Sequence, residues 1–150
     1  MDERSPIFRY RLAPLLRRDD WECDALGVEV LRARRALEQA EAMRQAGRER
    51  VAAAEAQMRD LHREDQPIAL DVRRLLQLHL RHEYAALALR EQETAQAELV
   101  HEQARARLET KRLAVKTLEK HRDRQFADHA TEQARREQRQ ADELWLTRQR

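Results

Sequence analysis

The chain of 150 residues carries 30 basic and 28 acidic side chains, a formal net charge of only +2, with 39 % charged residues, 4 % aromatics, two Gly and three Pro. Ala, Glu, Gln, Leu and Arg dominate, which is the mixture of long solvated helices and not of an ordinary globule. A sustained heptad register separates it from a disordered polar chain.

The first 11 residues are expected to be short, irregular or frayed. Ser5-Pro6 reads as a cap followed by a proline at a first helical position, but Pro14 arrives only two turns later. The opening Met1-Asp-Glu-Arg-Ser-Pro has charge scattered through it and no apolar core of signal-peptide length. A single cysteine, Cys23, excludes an intramolecular disulfide and fits a reducing cytosol. The expectation is a soluble, cytoplasmic protein.

From Leu12 onward, alternating strides of four and three meet Leu12, Leu16, Asp19, Cys23, Leu26, Val30, Ala33, Leu37, Ala40, Arg44, Gly47, Val51, Ala54, Met58 and Leu61. Only Asp19, Arg44 and Gly47 break the apolar line. A repeat averaging 3.5 residues puts one narrow stripe along a helix and asks for a partner helix. The spacing predicts helix 1 over about 12–63, with Pro14 tolerated in its first turn. Such a helix is a rod on the order of 75 Å long at about 1.5 Å per residue. A striped rod has no pocket of its own, so its function is expected in what it touches.

The interruption falls at about 64–67, Glu64-Asp65-Gln66-Pro67. Pro67 disfavours helix at Gln66, and Asp65 can cap a second helix. Without a Gly to turn the chain, a kinked continuous helix pairing between two molecules stays open as the alternative. Helix 2 is predicted over about 68–147. Its seam runs through Leu76, Leu80, Glu83, Leu87, Arg90, Thr94, Ala97, His101, Ala104, Leu108, Lys111, Val115 and Leu118. Past Leu118 apolar residues resume at Phe126, Ala130, Ala134, Ala141 and Trp145, which predicts a register slip there. Folding back between the helices places residue i opposite about 131 − i. That leaves 119–147 with no partner except the short N-terminal segment. The predicted fold class is therefore all-α, a long antiparallel two-helix coiled-coil hairpin with a longer C-terminal helix, in one domain over 1–150.

Little here suggests chemistry. His79 and His82 share a face, but His79-Leu-Arg-His-Glu83 lacks the order of a zinc-protease motif, so no metal is expected. Neither Gly27 nor Gly47 has a second Gly nearby to cradle phosphate, and Ser5 is the only serine. No cofactor and no catalysis are expected. The doublets Arg17-Arg18, Arg34-Arg35, Arg73-Arg74 and Arg135-Arg136 sit beside acids and do not build one basic face, so nucleic acid is not an expected partner. No run approaches 18 apolar residues, and no membrane insertion is expected. Ile68, Val72 and Leu75 form a second apolar stripe beside the seam, read either as a widened core or as a docking patch for another protein.

Two stretches carry a resemblance. Phe8-Arg-Tyr-Arg-Leu-Ala-Pro-Leu-Leu-Arg-Arg, running into Asp20-Trp-Glu, resembles the start of FliJ/YscO-type proteins of type III export. Lys116-Thr-Leu-Glu-Lys120, followed by Arg136-Glu-Gln-Arg-Gln-Ala-Asp-Glu143, is similar to the end of the same family. The resemblance implies a two-helix stalk that enters the export ATPase ring and reaches toward the export gate, and some members also bind export chaperones. It places an ATPase-binding end at Leu15, Leu16, Trp21, Lys116, Lys120, Phe126, Asp142, Glu143 and Trp145. Ile68, Val72 and Leu75 would serve a second partner near the turn. Self-association through the C-terminal helix is expected as well. The alternatives are an escort for secreted substrates and a self-assembling structural coiled coil.

Overall fold

The computed structural model describes residues 8–63 and 70–148. It contains two helices, α1 (Ala13–Arg63, 51 residues) and α2 (Leu70–Arg148, 79 residues). The fold is an all-α antiparallel helical hairpin whose second helix is the longer, and the described residues contain no strand. Pro14 lies in the first turn of α1, where its missing N–H has no intrahelical partner to lose. The turn predicted at 64–67, the start of helix 2 at 68–69, and Ser5-Pro6 lie outside the described residues.

The chain forms two compact units, Met1–Ala25 with Leu108–Arg150, and Leu26–Arg107. In the first, the terminal unit, Leu16, Leu108 and Val115 are the buried apolar side chains, and Asp19 is buried among them. In the second, the middle unit, Ala33, Val51, Ala54 and Ala104 are buried together with Thr94, which is 0 % exposed. The small side chains at these positions let two backbones approach closely. Gly47 is the tightest point: a Cβ added there would lie 3.3 Å from Leu87 Cδ1 and 3.9 Å from Leu87 Cα.

Every stripe position from Leu16 to Leu61 on α1 is buried or half-buried. The same holds on α2 from Leu76 to Leu118, and it includes the polar residues Glu83, Arg90, Thr94, His101 and Lys111. Position in the heptad, more than polarity, decides which side chains are covered. The long stems of Arg and Lys make that tolerable, because they lie along apolar surface with the charge at the rim. Thr94 solves the problem differently, its hydroxyl lying 2.8 Å from the Arg90 carbonyl of its own helix and 3.3 Å from the Ala40 carbonyl of α1.

Two expectations need correcting. First, the seam does not slip past Leu118. The four-three stride continues through Arg122, Gln125, His129 and Glu132, all half-buried, whereas Phe126, Ala130, Ala134, Ala141 and Trp145 lie on the exposed side. The apolar residues there sit one position off the inner face, so their stripe is an outer one. Second, in the middle unit Gly47 meets Leu87 and the Thr94 hydroxyl reaches Ala40, whereas 131 − i pairs Gly47 with Tyr84 and Ala40 with Glu91. The true register there sits about one helical turn further along α2.

Candidate interaction surfaces

The terminal unit is built by a short tie. The Ala13 amide donates to the Tyr10 carbonyl at 3.2 Å and the Leu16 amide to the Leu12 carbonyl at 3.0 Å, which turns the chain into α1. Residues 8–12 are thereby laid against α2. The Tyr10 hydroxyl donates to the Leu118 carbonyl at 3.0 Å, and His121 Nδ1 lies 3.1 Å from the Tyr10 hydroxyl oxygen. A phenol has one proton to give, so His121 must be the donor of the second bond. Two turns further on, Phe8 meets Phe126 edge to face, with centroids 5.4 Å apart, and also packs on His129 at 5.5 Å. Phe126 keeps an exposed face even so, being 57 % exposed.

Beside this tie an ionic cluster crosses the seam. Lys111 Nζ lies 2.9 Å from Asp19 Oδ1 and also binds Glu22, while Arg18 reaches Asp19 Oδ1 at 3.1 Å. Asp19 is thus held between two cations, and its carboxyl lies below the usual carboxylate range, chiefly through the Lys111 hydrogen bond. Lys111 is correspondingly pushed up, first by Glu22 and then by Asp19. Cys23 lies one turn along α1, and burial raises its thiol above the ordinary value. The cluster was half visible in the sequence. Asp19 breaks the α1 stripe, Lys111 occupies an α2 seam position, and folding the chain places the two opposite charges together.

The sequence-predicted residues divide into three groups. Leu16 belongs to the core at 8 % exposure, and Leu15 is half-buried, so Leu16 offers no surface to a partner; it lies on the inner stride of four and three. Trp21 is 72 % exposed and Trp145 60 %, and with Lys116, Lys120, Asp142 and Glu143 they lie on the outside of the terminal unit. In the middle unit Val72 and Leu75 are exposed, together with Leu70 and Leu78, whereas Leu76, Leu80 and Leu87 turn toward α1. Ile68 lies outside the described residues. The tie residues Phe8, Tyr10, His121 and His129 were not foreseen as a group. Their only sequence signal is aromatic spacing at one end and histidine spacing eight residues apart at the other.

The flanks of the middle unit carry polar contacts between the helices: an Arg48–Glu91 ion pair and a hydrogen bond from the Tyr84 hydroxyl to Glu55 on one side, and the ion pairs Arg107–Glu29 and Arg50–Glu83 on the other. The Glu55 hydrogen bond raises Tyr84 above the ordinary phenol value. Among the described residues no group of three His, Cys, Asp or Glu could hold a metal ion, and no helix is long and apolar enough to cross a membrane. Comparison with protein-family models, with characterised proteins and with solved structures returned no match to this chain. What the fold itself defines is a helical hairpin with Trp21 and Trp145 on outer faces.

Proposed function

We propose that this chain is a non-enzymatic stalk or coupling component of a type III protein export apparatus, similar to FliJ/YscO-type proteins. It binds the export ATPase through the terminal unit and works in the cytoplasm, beside a membrane-embedded export gate. The observation that carries the reading is the meeting of its two family-like stretches. Phe8 and Tyr10, from the first stretch, pack on Leu118, inside the Lys116–Lys120 stretch of α2, and on His121 and Phe126 just beyond it. On the same unit the exposed Trp21, Lys116, Lys120, Phe126, Asp142, Glu143 and Trp145 offer aromatic and charged groups to a partner. Aromatic residues beside charges are the usual anchors of a protein interface. The exposed Leu70, Val72, Leu75 and Leu78 of the middle unit would take the export gate or an export chaperone.

Turnover of the export ATPase, measured with and without the chain, tests the reading. The wild type should change the turnover, and Trp21→Ala with Trp145→Ala should remove the effect while leaving helix content unchanged. A chain that leaves turnover untouched but holds unfolded secreted substrate would be an escort, and the stalk reading would be abandoned.

A further inference from the structure

One side of the middle unit has a feature that the stalk reading does not use. A groove of about 570 Å³ runs between the helices, lined by Ala33, Ala36, Ala97, Leu89 and Val100 together with the polar Gln92, Glu93 and Gln96. Leu89 is 53 % exposed and Val100 43 %. On the same side of the unit Arg50 pairs with Glu83 at 3.4 Å, and Arg107 pairs with Glu29 at 3.8 Å. The two ion pairs have opposite sense: α1 supplies the cation in one and the carboxylate in the other.

We infer that this side of the hairpin binds a second copy of the chain, laid antiparallel across it. The argument is self-complementarity. Residues seven apart on α1 form one row on this side, Glu29, Ala36, Met43 and Arg50. Read backwards, the same row is Arg50, Met43, Ala36 and Glu29. A two-fold axis crossing α1 near Gln39 therefore sets Glu29 over Arg50 of the second copy and the Met43 side chain over the small Ala36, each contact occurring twice. On α2, Glu83 and Arg107 stand at equal distances from the level of Ala95, and Leu89 and Val100 nearly so, which sets carboxylate against guanidinium and Leu against Val; these four do not share one heptad row, and Glu93 lies between them. Both centres fall at one level of the hairpin, since Ala40, next to Gln39, is where the Thr94 hydroxyl reaches α1. An isologous contact of this kind closes on itself and stops at two copies.

The charges are placed to take a second partner. The side chains of Arg50, Glu29 and Arg107 are 52 %, 51 % and 61 % exposed despite their intrachain pairs, so each keeps open donor or acceptor capacity. Glu83 is more enclosed, at 13 %, which puts most of the cross-pairing on Glu29 and Arg50. The row from Glu29 to Arg50 is about 32 Å long, and two helices side by side are about 20 Å wide. The face thus offers roughly 600 Å² per copy, at the lower edge of specific protein interfaces. A reversible dimer in the micromolar range is expected, not a permanent one.

Sedimentation of the full-length chain from about 1 to 200 μM tests this. The wild type should pass from one chain to two, with a midpoint that moves to higher concentration in salt. Glu29→Arg alone and Arg50→Glu alone each put like charges together twice and should weaken the dimer at least tenfold. The double variant Glu29→Arg/Arg50→Glu restores a self-complementary row and should recover most of the loss, with circular dichroism confirming unchanged helix content. A second measurement uses Cys23→Ala as background. Gln39→Cys, near the axis, should form a disulfide-linked dimer on oxidation, and Glu41→Cys, on the opposite flank, should not. A single chain at 200 μM, association that ignores the charge reversals, no recovery in the double variant, or preferential linkage at Glu41→Cys would each overturn the inference.

Discussion

The close approach at Gly47 makes a prediction that separates local helix propensity from packing. Gly27 and Gly47 both lie inside α1, where glycine is less favourable than alanine by about 1 kcal/mol. At Gly27 an added Cβ meets nothing within 4 Å, so Gly27→Ala should realise the propensity gain in full. For a chain of this length a gain of about 1 kcal/mol raises the melting temperature by roughly 2–4 °C. At Gly47 the same Cβ would come within 3.3 Å of Leu87 Cδ1. Leu87 is half-buried and the atom concerned is the end of its side chain, so the methyl can move by a few tenths of an ångström at some loss of packing. Gly47→Ala should therefore gain less than Gly27→Ala. Gly47→Leu has no such escape and should destabilise by about 1–3 kcal/mol through overpacking. Thermal unfolding followed by circular dichroism at 222 nm reads all three. A Gly47→Ala gain equal to that of Gly27→Ala, with Gly47→Leu tolerated, would show that the two backbones do not approach at this level.

Further consequences follow from the seam. Thr94→Val should shift the melting temperature by no more than about 2 °C, because the hydroxyl bonds carbonyls that the helical ladders already use; Thr94→Asp, which buries a charge, should unfold the chain at ordinary temperatures. Arg44→Leu should raise the melting temperature, since Arg44 is half-buried on the seam and the Gly47–Leu87 register sets it across from Arg90. For pH, the folded carboxyl of Asp19 is lowered, so its contribution is complete above the ordinary carboxylate range and is lost as pH falls below about 4. Lys111 is raised, so its contribution is complete below about pH 10.5 and is lost as pH rises beyond that. A melting-temperature profile should accordingly show a broad plateau, and Asp19→Asn should lower the plateau while flattening its acid limb. Removing 134–150 should leave the melting temperature nearly unchanged, because every described side chain from Ala134 on is exposed; a large drop would mean that the tail contributes to the fold.

The stripe from Leu16 to Leu61 could be read from the sequence because helix periodicity is a local property. A residue's place on its own helix depends only on spacing, and the buried positions of α1 are the ones that strides of four and three select. The same reasoning placed the exposed Trp21, Val72 and Leu75 outside the seam. Polarity was the less reliable guide. Phe126 and Trp145 look like core in composition yet lie outward, whereas Arg122, Gln125 and Lys111 are partly covered. Three things needed the tertiary structure: the one-turn offset that sets Leu87 against Gly47, the laying of Phe8 and Tyr10 on α2, and the two oppositely oriented ion pairs on one side of the middle unit. Each is a relation between residues far apart in the chain. Sliding one helix by a turn against the other preserves both stripes, so the pattern along a helix leaves that choice open, and only packing, where glycine must admit a leucine and Asp19 must find Lys111, decides it.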